Sequence, residues 1–499
     1  MEKHTIPSLW RRATDCPIIH PEASKDCILP DSYPDIHKIL YVAATVSPER
    51  TVLSAGKIQT DGTLYTCVLF ADEEGKLHGV RFAIEYNGQM PYSVEATDNL
   101  LTADTVLDSI TARAINPRKL AIRGKVTVTP YLLYKCADEP ILSPELAGVK
   151  LEKKLQTVTC RQIFSWGESG IEASEDLALG QEPPISEIVW SDLQIEITSC
   201  EAGDGEVRFV GSGSLYLFYL TPEGRVQYTT IAFPIRSSIQ GDVREGDLCR
   251  VSLTPEEITV MPTEDAAGEA RGVELDFTYS ITVTVARKIS GTRPVDCYSV
   301  EKPTVVQSET VDLWEDAAEF SRELNRNLEG DASGMKSILS AFARVTVDSR
   351  EICEDGVILH CAVQATVVGT DEDGAFTAVQ LAENYPMTLD MLYGGDPCFC
   401  RFQWTVPPQG VIDGEQIKLR LSGKLGGMSV RSGSATYVGG LSCADGELPS
   451  AGDSITLCYP SPNETLWDIA KRYRISQSAI LSANHIPEGE LPAVLLIPH

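Results

Sequence analysis

Apolar side chains recur at every second position over most of this 499-residue chain, in short runs rich in β-branched and aromatic residues. Such spacing predicts antiparallel strands with one face buried. Runs at 41–46, 63–70 and 79–86 form the first set, and an acidic turn closed by Gly75 joins the last two. The arrangement returns at 214–220 and 226–233 around Gly224, and again around Gly374, where 361–368 leads into the turn. Gly75, Gly224 and Gly374 thus repeat about every 150 residues. That period is too long for a solenoid unit and suits tandem domains. Further strand patterns open the second and third copies near 188–198 and 338–347, and others close the three at 120–128, 273–285 and 417–421. The expected fold class is mainly β, with tandem antiparallel β-sandwich-like domains.

The period changes in two places. Between 308 and 327, Trp314, Ala317, Phe320 and Leu324 fall at helical spacing, which predicts a helix packed between two domains, with a partner-binding surface as the alternative. In the last stretch, a short β-like run ending at Tyr459 breaks at Pro460 and Pro462, and a patterned helix follows. Thr465 is placed to cap it, Asp468 stands three residues on in capping-box position, and Leu466, Ile469, Ala470 and Tyr473 supply its apolar stripe. A second helix is predicted after Ser476, burying Ile480 and Leu481 and stopping near Asn484; 493–497 reads as a closing strand. This makes a small α+β element of order βααβ. The expected division is an N-terminal segment 1–28, a first β domain with trailing connector 29–182, a second 183–302, a helical linker 303–336, a third 337–446 and the βααβ domain 447–499.

Composition narrows the partners. A formal charge of −29, from 42 basic and 71 acidic residues, repels phosphate backbones and anionic membrane surfaces, so nucleic acid is not expected. The first residues hold no apolar run of signal-peptide length, and nothing approaches the roughly 20 apolar residues of a membrane span. We therefore expect a cytoplasmic chain without membrane insertion. Its 14 cysteines are scattered singly, save Cys398 and Cys400, and in a reducing compartment they read as small buried hydrophobes. Two cysteines on one strand face would give half a metal site with no second cluster to complete it, so no metal and no cofactor are expected. Enzymatic signatures are lacking too. No phosphate-binding GxxxxGK[ST] occurs, Gly211-Ser-Gly213 lacks the rest of a dinucleotide fingerprint, and His360 and Cys361, adjacent on a strand, point to opposite faces.

Three segments, Pro34-Asp-Ile-His-Lys-Ile-Leu40, Ala112-Arg-Ala-Ile-Asn-Pro-Arg-Lys-Leu120 and Pro294-Val-Asp-Cys-Tyr-Ser299, resemble the recurring signatures of the SPOCS domain, a module of spore-coat-associated proteins in Clostridia and their relatives. The C-terminal stretch is similar to a LysM domain. Three SPOCS-like copies followed by one LysM resemble a family of clostridial spore coat morphogenetic proteins in order and size. This resemblance implies a non-enzymatic scaffold in the mother-cell cytosol, at the forespore surface. In it the LysM domain docks on the coat morphogenetic ATPase and the SPOCS domains contact other coat proteins. The alternative is binding of N-acetylglucosamine units of peptidoglycan in the LysM groove. By resemblance that groove lies between Pro462, Asn463, Glu464 and Thr465 on one side and Ala483, Asn484, His485, Ile486 and Pro487 on the other. Asn463-Glu-Thr-Leu466 stands where the family has Gly-Asp-Thr-Leu, and with the expected lack of export this favours a protein ligand over a glycan. Lys471, Arg472 and Arg474 form a basic cluster on the first helix, an exposed solvated face or a surface for an acidic partner.

Overall fold

A computed structural model describes residues 11–94, 98–135, 148–353, 356–390, 396–444, 456–486 and 491–498. The alternating runs fold into one six-strand pattern used three times. After a short β1 (Arg11–Arg12), the first unit comprises β2 (Glu22–Ile28), β3 (Lys38–Ser54), β4 (Lys57–Ala71), β5 (Leu77–Pro91), β6 (Asp98–Asn116) and β7 (Lys119–Lys135). The second comprises β8 (Leu151–Ala178), β9 (Glu187–Ala202), β10 (Glu206–Leu220), β11 (Val226–Gln240), β12 (Leu248–Glu264) and β13 (Ala270–Ser299). The third comprises β14 (Thr304–Asp331), β15 (Ser337–Cys353), β16 (Gly356–Thr370), β17 (Phe376–Asp390), β18 (Asp396–Asp413) and β19 (Gln416–Cys443). In every unit the second, third and fourth strands form an antiparallel meander, while the fifth strand pairs with the sixth and the sixth with the first. The two sheets face each other across the unit's core, as in the third unit, where Val357, Leu359, Val363 and Val367 meet Ile417, Leu419 and Leu421.

The repetition extends to irregularities. The meander's first strand carries two bulges in each unit, at Leu40 and Glu49, at Val189 and Thr198, and at Leu339 and Asp348. A bulge adds one unpaired residue and turns the following side chains to the other face. Bulges at the same two places in all three copies mark one backbone plan.

The meanders also have a second apolar face, and there the units meet. Leu40, Leu69 and Leu77 from the first unit, Val189, Trp190, Tyr216 and Phe218 from the second, and Phe342 and Val368 from the third form a single buried cluster. Phe342 sits at its centre, stacked on Tyr41 at 4.0 Å and edge-on to Trp190 at 5.3 Å. This explains the continuous apolar run Cys67-Val-Leu-Phe70 on a central strand: one alternate set faces the unit's own core and the other faces the neighbours.

The predicted helix at 303–336 is a strand instead. Residues Thr304–Asp331 are β14, paired along their length with β19. A bulge at Glu315 is the reason the spacing looks helical: it leaves Trp314 and Ala317 on one face, three positions apart, while Phe320 and Leu324 lie on the opposite face. Likewise 151–178, expected as connector, is β8, the opening strand of the second unit. Cys398 and Cys400 do not share a face, because the bulge around Phe399 sends Cys398 into the contact between units and Cys400 toward the third unit's core.

The segment 29–36 is fastened by Arg118. Its guanidinium donates to the carbonyls of Pro30 (3.0 Å) and Tyr33 (2.5 Å), while Leu29 N–H donates to the Arg118 carbonyl (2.9 Å). The second unit repeats the latch with Arg271, which donates to the Glu182 carbonyl at 3.1 Å; the third has Glu415 at the corresponding backbone position.

Strands β8, β13, β14 and β19 are 28 to 30 residues long and outrun the sandwiches. Their extensions pair as two ribbons, 151–160 with 289–299 and 304–313 with 433–443. Cys160, Val311, Leu313 and Tyr437, then Cys297, Val438 and Leu441, pack between the ribbons. Ten strand residues span roughly 33 Å. The result is a stiff stalk.

Asp192, on β9, faces the first unit in a narrow cleft with Cys67, Arg81 and Glu256. Burial raises its carboxyl to about 6, against the pull of the Arg81 charge and of hydrogen bonds from Leu193 and Gln194. A carboxyl that binds its proton more tightly folded than unfolded adds stability at low pH, and that stability is lost as pH rises from about 4 through about 6. Asp192→Asn should therefore raise the thermal midpoint more at about pH 7 than at about pH 4.5. Equal gains at both values would contradict this assignment.

Candidate functional site

The C-terminal domain starts from capped helices. Strand β20 (Thr456–Cys458) leads into α1 (Leu466–Tyr473), α2 (Gln477–Asn484) and β21 (Leu495–Ile497), with β20 and β21 antiparallel. The order is the expected βααβ. Thr465 caps α1: its Oγ1 accepts from Asp468 N–H at 3.3 Å, and the Asp468 carboxylate accepts from Thr465 N–H at 3.0 Å. Hydrogen bonds that the Thr465 hydroxyl (2.6 Å) and N–H donate to it hold the Asp468 carboxyl below its usual range. Ser476 caps α2 through Ala479 N–H. Both helices end on a left-handed residue, Arg474 (φ 55°) and His485 (φ 50°). Trp467, Ile469, Ala470, Ile480, Leu495 and Ile497 close a small core.

The groove residues divide by what already occupies them. Asn484 is fully engaged: its amide donates to the carbonyls of Ile480 (2.8 Å) and Leu496 (2.6 Å) and its oxygen accepts from Leu496 N–H (2.6 Å), clamping α2 to β21. Glu464 accepts from Ser461 N–H at 2.9 Å and pairs with Arg472 at 2.9 Å. Thr465 is the cap. Pro462, Asn463 and His485 are exposed, Ala483 and Ile486 half-buried, and Pro487 lies outside the described residues. Asn463 takes a left-handed φ of 69°, the conformation the family's glycine would supply and one asparagine tolerates well. The register that pairs Cys458 with Leu495 makes the two loops leave the sheet at the same end.

An apolar surface borders them. Leu457, Tyr459 and Val494 are 53%, 69% and 40% exposed, the largest apolar exposure among the described residues of this domain. Leu457 and Tyr459 flank the buried Cys458 and so face away from the core, and continuing the register sets Tyr459 beside Val494. Alternation within 455–459 carried this signal, and sequence reading overlooked it.

The basic cluster does not form one free face. Lys471 donates to both carboxylate oxygens of Asp296, at 2.6 and 2.7 Å, and Trp467 Nε1 donates to the same carboxylate at 2.8 Å. Arg472 pairs with Glu464 and donates to Cys458 Sγ at 3.1 Å. Arg474 is the left-handed cap, half-buried. Asp296 and Tyr298 lie at the tip of β13, at the end of the stalk. The Tyr298 hydroxyl donates to the Ile475 carbonyl at 2.7 Å, and its ring meets Trp467 edge-on at 5.0 Å. Burial opposes ionisation of Asp296, but the Lys471 and Trp467 hydrogen bonds and the lysine charge outweigh it and hold the carboxyl below the usual range. No local pattern announces a seat whose halves stand about 170 residues apart.

Among the described residues, no helix is long and apolar enough to cross a membrane, and no three His, Cys, Asp or Glu side chains are grouped to hold a metal.

A family comparison agrees with this architecture: residues 461–493 match the LysM domain, a span that takes in both helices and both loops. A LysM domain therefore stands at the C-terminal end of this mainly β chain. LysM domains commonly bind peptidoglycan or mediate protein interaction. No curated protein and no solved structure matches the chain.

Asp296→Ala should free the LysM domain from its seat by removing the partner of Lys471 and Trp467, at a cost of about 1–3 kcal/mol for hydrogen bonds to a partly buried charge. Hydrogen exchange should then rise in α1 and in the tip of β13 while the three sandwiches keep their protection. Unchanged exchange in α1 would show that the seat does not hold the domain.

Proposed function

We propose that this chain is a non-enzymatic scaffold of spore coat assembly, acting from the mother-cell cytosol at the forespore surface. Its LysM domain docks on the coat morphogenetic ATPase, and its three β units, read as SPOCS domains, contact other coat proteins. The observation that carries the reading is the combination of a LysM domain fixed on a stiff stalk with three β units closed around one apolar hub. A scaffold needs such fixed spacing between its contacts, whereas a tethered sugar-binding module does not. The segments resembling the SPOCS signatures have matching mechanical roles: 112–120 carries the Arg118 latch on 29–36, and 294–299 provides the LysM seat.

A protein ligand is favoured over a glycan by the surface that remains free. Asn484, Glu464 and Thr465 spend their polar groups within the domain, and beside the exposed Asn463 and His485 stands an apolar surface of Leu457, Tyr459 and Val494. Large exposed apolar side chains gathered in one place are a mark of protein interfaces. The second reading, binding of peptidoglycan, draws on the family match alone.

Full-length protein should recover the coat morphogenetic ATPase from sporulating cells, and Tyr459→Asp, an exposed change that leaves the LysM core intact, should cut recovery at least about tenfold, as expected of an interface anchor. Recovery of no ATPase, or equal recovery with the variant, would sink the docking. Sedimentation of the wild-type protein with peptidoglycan would instead support the second reading.

A further inference from the structure

The middle unit holds a thiol pair that no role described above uses. The bulge at Thr198 turns the end of β9 over, so that Cys200 and Ala202 follow Ile195 and Ile197 onto the inner face. There Cys200 meets Cys249, near the start of β12, and its thiol donates to the Cys249 carbonyl at 2.7 Å. The two residues belong to different sheets of the sandwich: β9 is an edge strand of the meander and β12 an edge strand of the opposing sheet. Cys249 is 3% exposed, whereas Cys200 is half-buried and open to small reagents. The corresponding positions after the same bulge in the other units are Thr51 and Arg350, so the pair is peculiar to this copy.

We propose that Cys200 and Cys249 are an oxidative modification site, at which a peroxide converts the two thiols into a disulfide that staples the two sheets of the middle unit together. Cys200 is the attacking group. It is the accessible member, half-buried where Cys249 is enclosed, and its thiol already lies against Cys249. The Cys200 thiolate attacks one oxygen of the peroxide, the O–O bond breaks, and the departing hydroxide takes up a proton to leave as water. Cys200 is then a sulfenic acid, oxidised by two electrons, while the peroxide is reduced. The Cys249 sulfur attacks that sulfenic sulfur, loses its proton, and expels the hydroxyl as a second water. Two thiols and one hydrogen peroxide thus give one disulfide and two waters. The new bond closes a loop of about 50 residues that includes the whole of β10 and β11, and so restricts the unfolded chain.

The test treats reduced full-length protein with hydrogen peroxide, blocks remaining thiols and maps peptides without reduction. The expected product is a peptide pair joined between Cys200 and Cys249, lighter by two hydrogens, with a raised thermal midpoint that returns to its starting value on reduction. Cys200→Ser should abolish both the joined pair and the rise. The wild-type peptide map decides the matter even if this variant folds poorly, and Cys249→Ser, which should trap Cys200 as a sulfenic acid captured by dimedone, gives an independent reading. Cys200 found joined to another cysteine, or both thiols left unmodified while other cysteines oxidise, would overturn the proposal.

Discussion

The burial of Phe342 against Tyr41 and Trp190 is the contact on which the architecture depends. A meander of three strands has two faces, and a sandwich uses only one. In this chain the second face of each meander is apolar as well, so no unit can satisfy its own surface; three together can, by turning those faces toward a common centre. Phe342 occupies the position that is Ala43 in the first unit and Asp192 in the second, so one aromatic ring fills the middle where three would collide. The copies share a backbone plan, and divergence at this position lets them close around one point.

From that closure the rest follows outward. Fixed units bring β8 and β14 side by side, where Arg161 pairs with Asp316 at 2.9 Å and the second sheets of the middle and last units join into one. Joined sheets allow their long strands to continue as two packed ribbons, and the tip of β13 presents Asp296 and Tyr298 to the LysM domain. The domain's first helix is consumed by that seat and by its own caps. Its loops and the outer face of its small sheet remain for a partner. In the proposed scaffold role, position and spacing are what the chain would supply, and an oxidisable pair across the two sheets of the middle unit would add rigidity to the same frame.

Much of this was legible in the sequence because it is local. Alternation marked the strands, the turn glycines marked the threefold repeat, and the Thr465 to Asp468 spacing marked the capping box. The failures have a common physical origin. A bulge at Glu315 shifted the alternation of β14 and made a strand look helical, and another around Phe399 separated two cysteines that spacing had put together. Periodicity reports faces only while the register holds. No shared motif ties the Arg118 latch to its counterpart, because Arg271 performs the same task without the neighbouring asparagine and proline. The LysM seat could not be read at all: Asp296 and Lys471 are opposite charges like many others in a chain with 71 acidic residues, and only the fold makes them partners. Which polar groups of the expected groove are already spent, Asn484 above all, depends on contacts with β21 that spacing does not reveal.

The central claim is that the apolar hub makes the three units one cooperative body. Hydrogen exchange of the full chain, read by mass spectrometry on the central meander strands β4, β10 and β16, addresses it most directly when wild type is compared with Phe342→Ala. Loss of a buried phenylalanine costs about 3–5 kcal/mol. If the hub couples the units, that loss appears as faster exchange in all three central strands together, β4 and β10 of the other two units as much as β16. Acceleration confined to β15, β16 and β17, with the other two units unchanged, would contradict the account.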